Sequence, residues 1–183
     1  MKPAIVIIDM QNDFFQEDPL KSVKPSLVEK INELTDFARL REIPVIWVRQ
    51  EYSPDLSDTN LHAKKTNRRI TIRGTSGAEI LSELKRDNKD AIIIKKRYSA
   101  FFRTDFDEII QKLRLDILIL AGINTHACVR TTAIDAFQRD IEVIIAKECI
   151  SSWNQEHHDI SLEYFEKSMS IGLLSNEQLK GVF

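Results

Sequence analysis

The chain of 183 residues is 43% hydrophobic and 30% charged, enough for one well-buried core and short for two domains. Its formal net charge is -2, and Lys and Arg gather only in short clusters such as Lys64, Lys65, Arg68 and Arg69. That leaves no electrostatic footprint for nucleic acid or acidic lipid, so the expected partner is a small neutral or anionic molecule.

In chain order, the start "MKPAIVIIDM" has an apolar run too short to span a membrane and no small-residue cleavage site, which points to the cytoplasm. Residues 3–8 ("PAIVII") are apolar and β-branched and predict a buried strand ending at Asp9. Residues 26–42 place Leu27, Ile31, Leu34, Phe37, Ala38 and Leu40 at helical spacing, and 43–48 ("IPVIWV") predict a second strand followed by Gln50. The segment 50–73 is polar, irregular and too long for a plain connection, as lids, binding loops and interfaces are. A third strand over 91–94 runs into Lys95; a helix over 104–114, opened by Thr104, leads to a fourth strand over 116–121 and then to "GINTHAC". A helix over 125–139, a strand over 141–146, a helix over 155–169 and a short strand at "IGLL" complete six strands. Strand alternating with helix implies an α/β domain over 1–183, with a parallel sheet covered on both faces. No repeat, low-complexity tract or Pro/Gly-rich linker marks a domain boundary.

In a doubly wound sheet the ligand crevice lies outside the carboxyl ends of the strands. That rule brings together Asp9, Gln50, Lys95 and Cys128. Separately each has a plain reading: Asp9 a turn residue, Lys95 part of a solvated "KKR" cluster, Cys128 a packed thiol. Together they suit thiol-based hydrolysis. A cysteine at a helix N-terminus near a lysine favours thiolate, Asp9 can take the thiol proton and return it to a leaving nitrogen, and backbone N–H groups of the turn can face a carbonyl oxygen. Cys128 and Cys149 lack metal-ligand or redox spacing, so neither a disulfide framework nor a zinc ribbon is expected.

The stretches "VIIDMQNDF" (6–14), "RGTSGAEI" (73–80), "KKRYSAFFRTDF" (95–106) and "GINTHACVRTTAIDAF" (122–137) stand in the order and context of one family. The chain resembles the isochorismatase-like cysteine hydrolases, which include nicotinamidases, carbamoylsarcosine amidases, ureidoacrylate amidohydrolases and isochorismatases. The resemblance implies a three-layer α/β/α fold with a six-stranded parallel sheet, and a homo-oligomer, dimer or tetramer. It implies a catalytic Asp9, Lys95 and Cys128, Lys95 rather than Lys96 because the family's lysine precedes by four residues the serine that is Ser99 here. It also implies a cis peptide at Ile123–Asn124 and oxyanion donors on the backbone of Asn124 and Cys128. Cys149 reads as packing.

Isochorismatases cleave a vinyl ether and typically lack the cysteine, so Cys128 favours hydrolysis of a C–N bond (amide, ureido or carbamoyl) through an acyl-thioester. A glutamine after the second strand, here Gln50, resembles the isochorismatase side. Nicotinamidases carry an Asp-x-His pair where this chain reads "WVRQEYSPDL", and His62 is isolated, so no metal and no cofactor are expected. The expected pocket walls are Phe14, Gln50, Tyr98, Phe102 and Ile123, with Trp153, Arg49 and Arg73 as further contacts and His126 beside the turn. His157 and His158 are expected in solvent. The other readings are a vinyl-ether hydrolase and a non-catalytic binding module on the same scaffold.

Overall fold

The computed structural model describes residues 1–183. Its strands are β1 (Pro3–Ile8), β2 (Val45–Gln50), β3 (Ala91–Lys95), β4 (Ile117–Ile123), β5 (Glu142–Ser151) and β6 (Gly172–Leu174), and its helices α1 (Leu20–Leu40), α2 (Leu61–Thr66), α3 (Phe106–Leu113), α4 (Arg130–Phe137), α5 (Gln155–Met169) and α6 (Asn176–Val182). All six strands pair in parallel in one sheet, ordered β3-β2-β1-β4-β5-β6.

The period-two alternation of buried strands feeds a core on each face. On β1, Ile5 and Ile7 pack with Leu27, Ile31 and Leu34 of α1 and Leu179 of α6. Ala4, Val6 and Ile8 pack with Phe106 and Ile110 of α3, Ala133 and Ala136 of α4, and Phe165 of α5. The result is the expected three-layer α/β/α arrangement. The strand order turns back between β1 and β4, so the crevice of the fold opens at the carboxyl ends of those two strands.

Some boundaries differ from the sequence reading for identifiable reasons. Helix α1 begins at Leu20, not residue 26, and carries Pro25 inside it; Pro25 faces solvent, so its missing N–H and its ring disturb no packed surface. Strand β5 runs on to Ser151 instead of stopping at 146. Its register against β4 shifts between Leu120↔Ile145 and Gly122↔Ile150, so β5 takes up extra residues at an irregularity and ends level with β4, Ser151 opposite Ile123. Two short helices lie outside the predicted set. Helix α6 opens with a capping box, Ser175 and Gln178 bonding each other's backbone, which "SNEQ" does announce. Helix α2, capped by Asn60, lies within the irregular 50–73 segment. No helix is long and apolar enough to cross a membrane.

Gly122 fixes how closely β4 approaches β1. Its φ is +103°, and a Cβ there would sit 2.1 Å from the Ile8 carbonyl oxygen. Backbone on backbone cannot yield as a side-chain tip would. Gly122→Ala should therefore destabilise the fold by about 2 kcal/mol or more, combining left-handed strain with overpacking, which a urea midpoint measures. An unchanged midpoint would show that the strands can separate at no cost.

Candidate active site

Lys95 ends β3, and its side chain runs beneath the sheet edge with no solvent exposure. Its Nζ lies 2.7 Å from Asp9 Oδ2, 3.1 Å from the Arg97 carbonyl oxygen and 3.3 Å from Cys128 Sγ. An ammonium has three protons, and here each has an acceptor. Asp9 follows β1 directly, at φ 54°, with its N–H held by the Val48 carbonyl at 2.8 Å. Its second oxygen, Oδ1, is buried and has no hydrogen-bond partner. The carboxylate interacts with the Cys128 thiol as well as with Lys95.

Cys128 stands in a single π-helical turn, Thr125–Val129, that leads into α4. The Ala127 and Val129 N–H groups both donate to the Asn124 carbonyl, and the Ile123–Asn124 peptide is cis. The end of β5 and the two residues after it clamp this turn. Thr125 Oγ1 donates to the Ser151 carbonyl at 3.0 Å, the Trp153 N–H donates to Asn124 Oδ1 at 3.0 Å, and His126 Nδ1 meets Ser152 Oγ at 2.5 Å. His158 Nδ1 lies 2.8 Å from Thr125 Oγ1; since that hydroxyl's proton is already given to Ser151, His158 is the donor. His158 is thus half-buried and engaged rather than solvated, while exposed His157 sets its ring against His126 at 5.2 Å.

Electrostatics correct one expectation. Burial and the Asp9 carboxylate together push the Cys128 thiol up to about 12, outweighing the opposite pull of Lys95. The resting cysteine is a neutral thiol, not a thiolate. For Lys95, burial opposes the charge, but Asp9 and Cys128 more than compensate and hold the ammonium above its ordinary value. Burial, followed by the charges of His157, His158 and Arg130, lowers His126.

Above the thiol lies a cavity of about 200 Å³, lined among others by Phe14, Gln50, Tyr98, Asn124, His126, Cys128 and Trp153. Of the expected walls, Phe102 is not among them: it is half-exposed in a neighbouring groove with Lys65 and Thr131. Ile123 is wholly buried in the core beside α1, because the strand alternation points it away from the crevice. Arg49 pairs with Glu51 and Glu79, and Arg73 is exposed away from the cavity. Gln50 lines the cavity, and its amide also donates to Thr71 Oγ1 at 3.0 Å. Lys96 turns outward to Asp58. Cys149 is buried, with Sγ 3.3 Å from Asn176 Oδ1. The sequence reading missed Tyr52, Asn60, Ala63, Arg68 and Ile70, all from the 50–73 segment, whose irregularity marked it as functional without saying which side chains turn inward. No three His, Cys, Asp or Glu side chains are grouped so as to hold a metal ion.

A six-stranded parallel α/β sheet with a buried polar cluster at its switch point is the frame of a hydrolase family, and residues 3–177 match the isochorismatase domain model. The chain belongs to the isochorismatase family of hydrolases. It is 32% identical over 167 residues to an Arabidopsis thaliana protein named a probable inactive nicotinamidase, covering 87% of this chain and 85% of that one. An isochorismatase family protein from Desulfovibrio vulgaris superposes with a TM-score of 0.88 at 28% identity, covering 99% and 97% of the two chains. An N-carbamoylsarcosine amidase from Thermoplasma acidophilum does so with a TM-score of 0.83 at 25% identity, covering 97% and 98%.

With the thiol pushed well above its ordinary value, only a small fraction of Cys128 is ionised at pH 8. Alkylation by iodoacetamide should therefore accelerate about tenfold per pH unit from 7 to 10 without levelling off. Cys149, outside the cavity, should stay protected. A plateau below pH 8 would reveal a preformed thiolate.

Proposed function

We propose that the protein is a cysteine hydrolase that cleaves the C–N bond of a small amide, ureido or carbamoyl compound without a metal. The observation that carries this reading is one buried contact set, Asp9–Lys95–Cys128, beneath a cavity of metabolite size. In this reading the Cys128 proton passes to Asp9, whose Oδ1 is otherwise unpartnered, as Sγ attacks the carbonyl carbon. Backbone N–H groups of Asn124 and Cys128 receive the developing oxyanion, and Lys95 offsets the moving negative charge. Collapse breaks the C–N bond, the leaving nitrogen takes the proton back from Asp9, and an acyl-thioester remains. Water then gives a proton to Asp9, attacks the thioester and releases the acid, and Cys128 leaves as the thiol. Amide and water have become acid and amine, with the three side chains as they began. The kinship with an N-carbamoylsarcosine amidase supports a C–N bond as the target.

The test is ammonia release from a panel of small amides, ureido acids and carbamoyl amino acids, set beside pyruvate release from isochorismate. Cys128→Ala should abolish amide turnover with the fold intact, and Asp9→Asn should slow it by roughly a hundredfold or more. Lys95→Met should be nearly inactive, whereas Lys96→Ala, which alters an outward residue, should keep most activity. Pyruvate release that survives Cys128→Ala would replace the thiol route by ether cleavage. Exhaustive chelation should leave the rate unchanged; loss on chelation with recovery on adding zinc or manganese would overturn the metal-free assignment.

A further inference from the structure

Two side chains in the cavity wall have capacity that the thiol chemistry does not use. Arg68 lines the cavity that holds Cys128, yet the ion-paired arginines of the chain are Arg39, Arg49 and Arg139. Its backbone N–H holds the Ala63 carbonyl at 3.1 Å, and its guanidinium has no protein partner. Tyr52 lines the same cavity, is 1% exposed, and its hydroxyl has no hydrogen-bond partner. With no partner, the phenol proton is left without an acceptor. Burial pushes the phenol above its ordinary value, so it keeps that proton across the physiological range. An unsatisfied buried donor is costly and rare, and a ligand oxygen would satisfy it.

No Asp or Glu lines the inner cavity. Acids appear only in the wider vestibule outside, which Asp13, Glu17 and Asp18 line; Asp13 is bound to the Thr71 N–H at 2.6 Å and Asp18 to the Ser22 N–H at 3.0 Å, and none of the three is ion-paired with the guanidinium. Lys95, beneath the thiol, is already matched by Asp9. Within the inner cavity the unbalanced charge facing a ligand is therefore positive, and the exposed Arg68 brings to it a fork of donors suited to a planar anion.

We propose that Arg68 and Tyr52 form a carboxylate-recognition wall, so that the substrate is a small amide bearing a carboxylate rather than a neutral one. This rests on the C–N hydrolase reading, deepening it from bond type to substrate class. The cavity, at about 200 Å³, is smaller than the roughly 300 Å³ at the low end of drug-sized pockets, so a carboxylate on this wall leaves room for only a short spacer before the scissile amide.

The test pair is succinamate and succinamide, matched in shape and differing in one carboxylate. Wild-type kcat/KM for ammonia release should be at least about tenfold higher for succinamate. Arg68→Ala should abolish that preference by raising KM for succinamate far more than KM for succinamide. Arg68→Lys should restore part of it, and Tyr52→Phe should raise KM for succinamate several-fold. Calorimetric binding to the Cys128→Ser protein separates the wall from the reaction. Succinamate that binds there in an Arg68-dependent way supports the wall even if the wild type releases no ammonia. Equal preference in wild type and Arg68→Ala, or no Arg68-dependent binding, overturns the wall while leaving C–N hydrolysis to its own tests.

Discussion

The buried ammonium of Lys95 is the constraint around which the site is arranged. Taking such a charge out of water costs several kcal/mol, and that cost is offset only when every proton finds a well-placed acceptor. The three acceptors come from separate places in the chain: Asp9 after β1, the Arg97 carbonyl just beyond β3, and Cys128 in the turn after β4. Their meeting requires β1 to lie inside the sheet between β2 and β4, and requires β4 to approach β1 as closely as Gly122 permits. The strand order, the close approach and the charge cluster are therefore one solution rather than three features.

The same logic explains the length of β5. A turn holding a nucleophile candidate must be rigid, yet turns at strand ends have few hydrogen bonds of their own. Here the end of β5 and the residues that follow it supply them from outside, through Ser151, Ser152 and the backbone of Trp153. Helix α5 adds His158 to Thr125. The irregular register against β4 takes up the extra residues and leaves Ser151 opposite Ile123, so Ser151 and the two residues after it stand beside Asn124, Thr125 and His126.

Much of this could be read from the chain before folding because it is periodic. Apolar β-branched runs that each stop at a polar residue announce buried strands and the edge where their ends collect, which is how Asp9, Gln50, Lys95 and Cys128 came to be grouped. Ile123 shows the limit of that reasoning: it neighbours the turn in sequence, but alternation sends its side chain into the core. Phe102 fails differently, since an aromatic four residues past Tyr98, in an irregular loop, has no period to say which way it faces. Tyr52 and Arg68 were invisible because the segment 50–73 has no repeat at all. Its course is set by tertiary bonds such as Tyr52 N–H to Thr71 carbonyl and Arg73 N–H to Tyr52 carbonyl, each linking residues far apart along the segment. The neutral state of Cys128 was hidden for a related reason: helix position and a lysine are local signals, while burial and the opposing Asp9 charge exist only once the strands are assembled.

That neutral thiol bears on how the cluster handles charge. At rest an ammonium, a carboxylate and a thiol sum to zero, the arrangement that least penalises burial. Ionising the thiol alone would leave two anions against one cation in a site nearly closed to water. If instead the proton moves to Asp9 as sulfur attacks carbon, the negative charge passes from the carboxylate to the substrate oxygen, and the sum stays at zero throughout. Lys95 need neither gain nor lose a proton, in keeping with an ammonium held above its ordinary value. On this argument the raised thiol is no obstacle to attack. In the proposed mechanism it would keep Cys128 uncharged until a carbonyl is present to take the charge, so the buried site would never hold an unmatched anion.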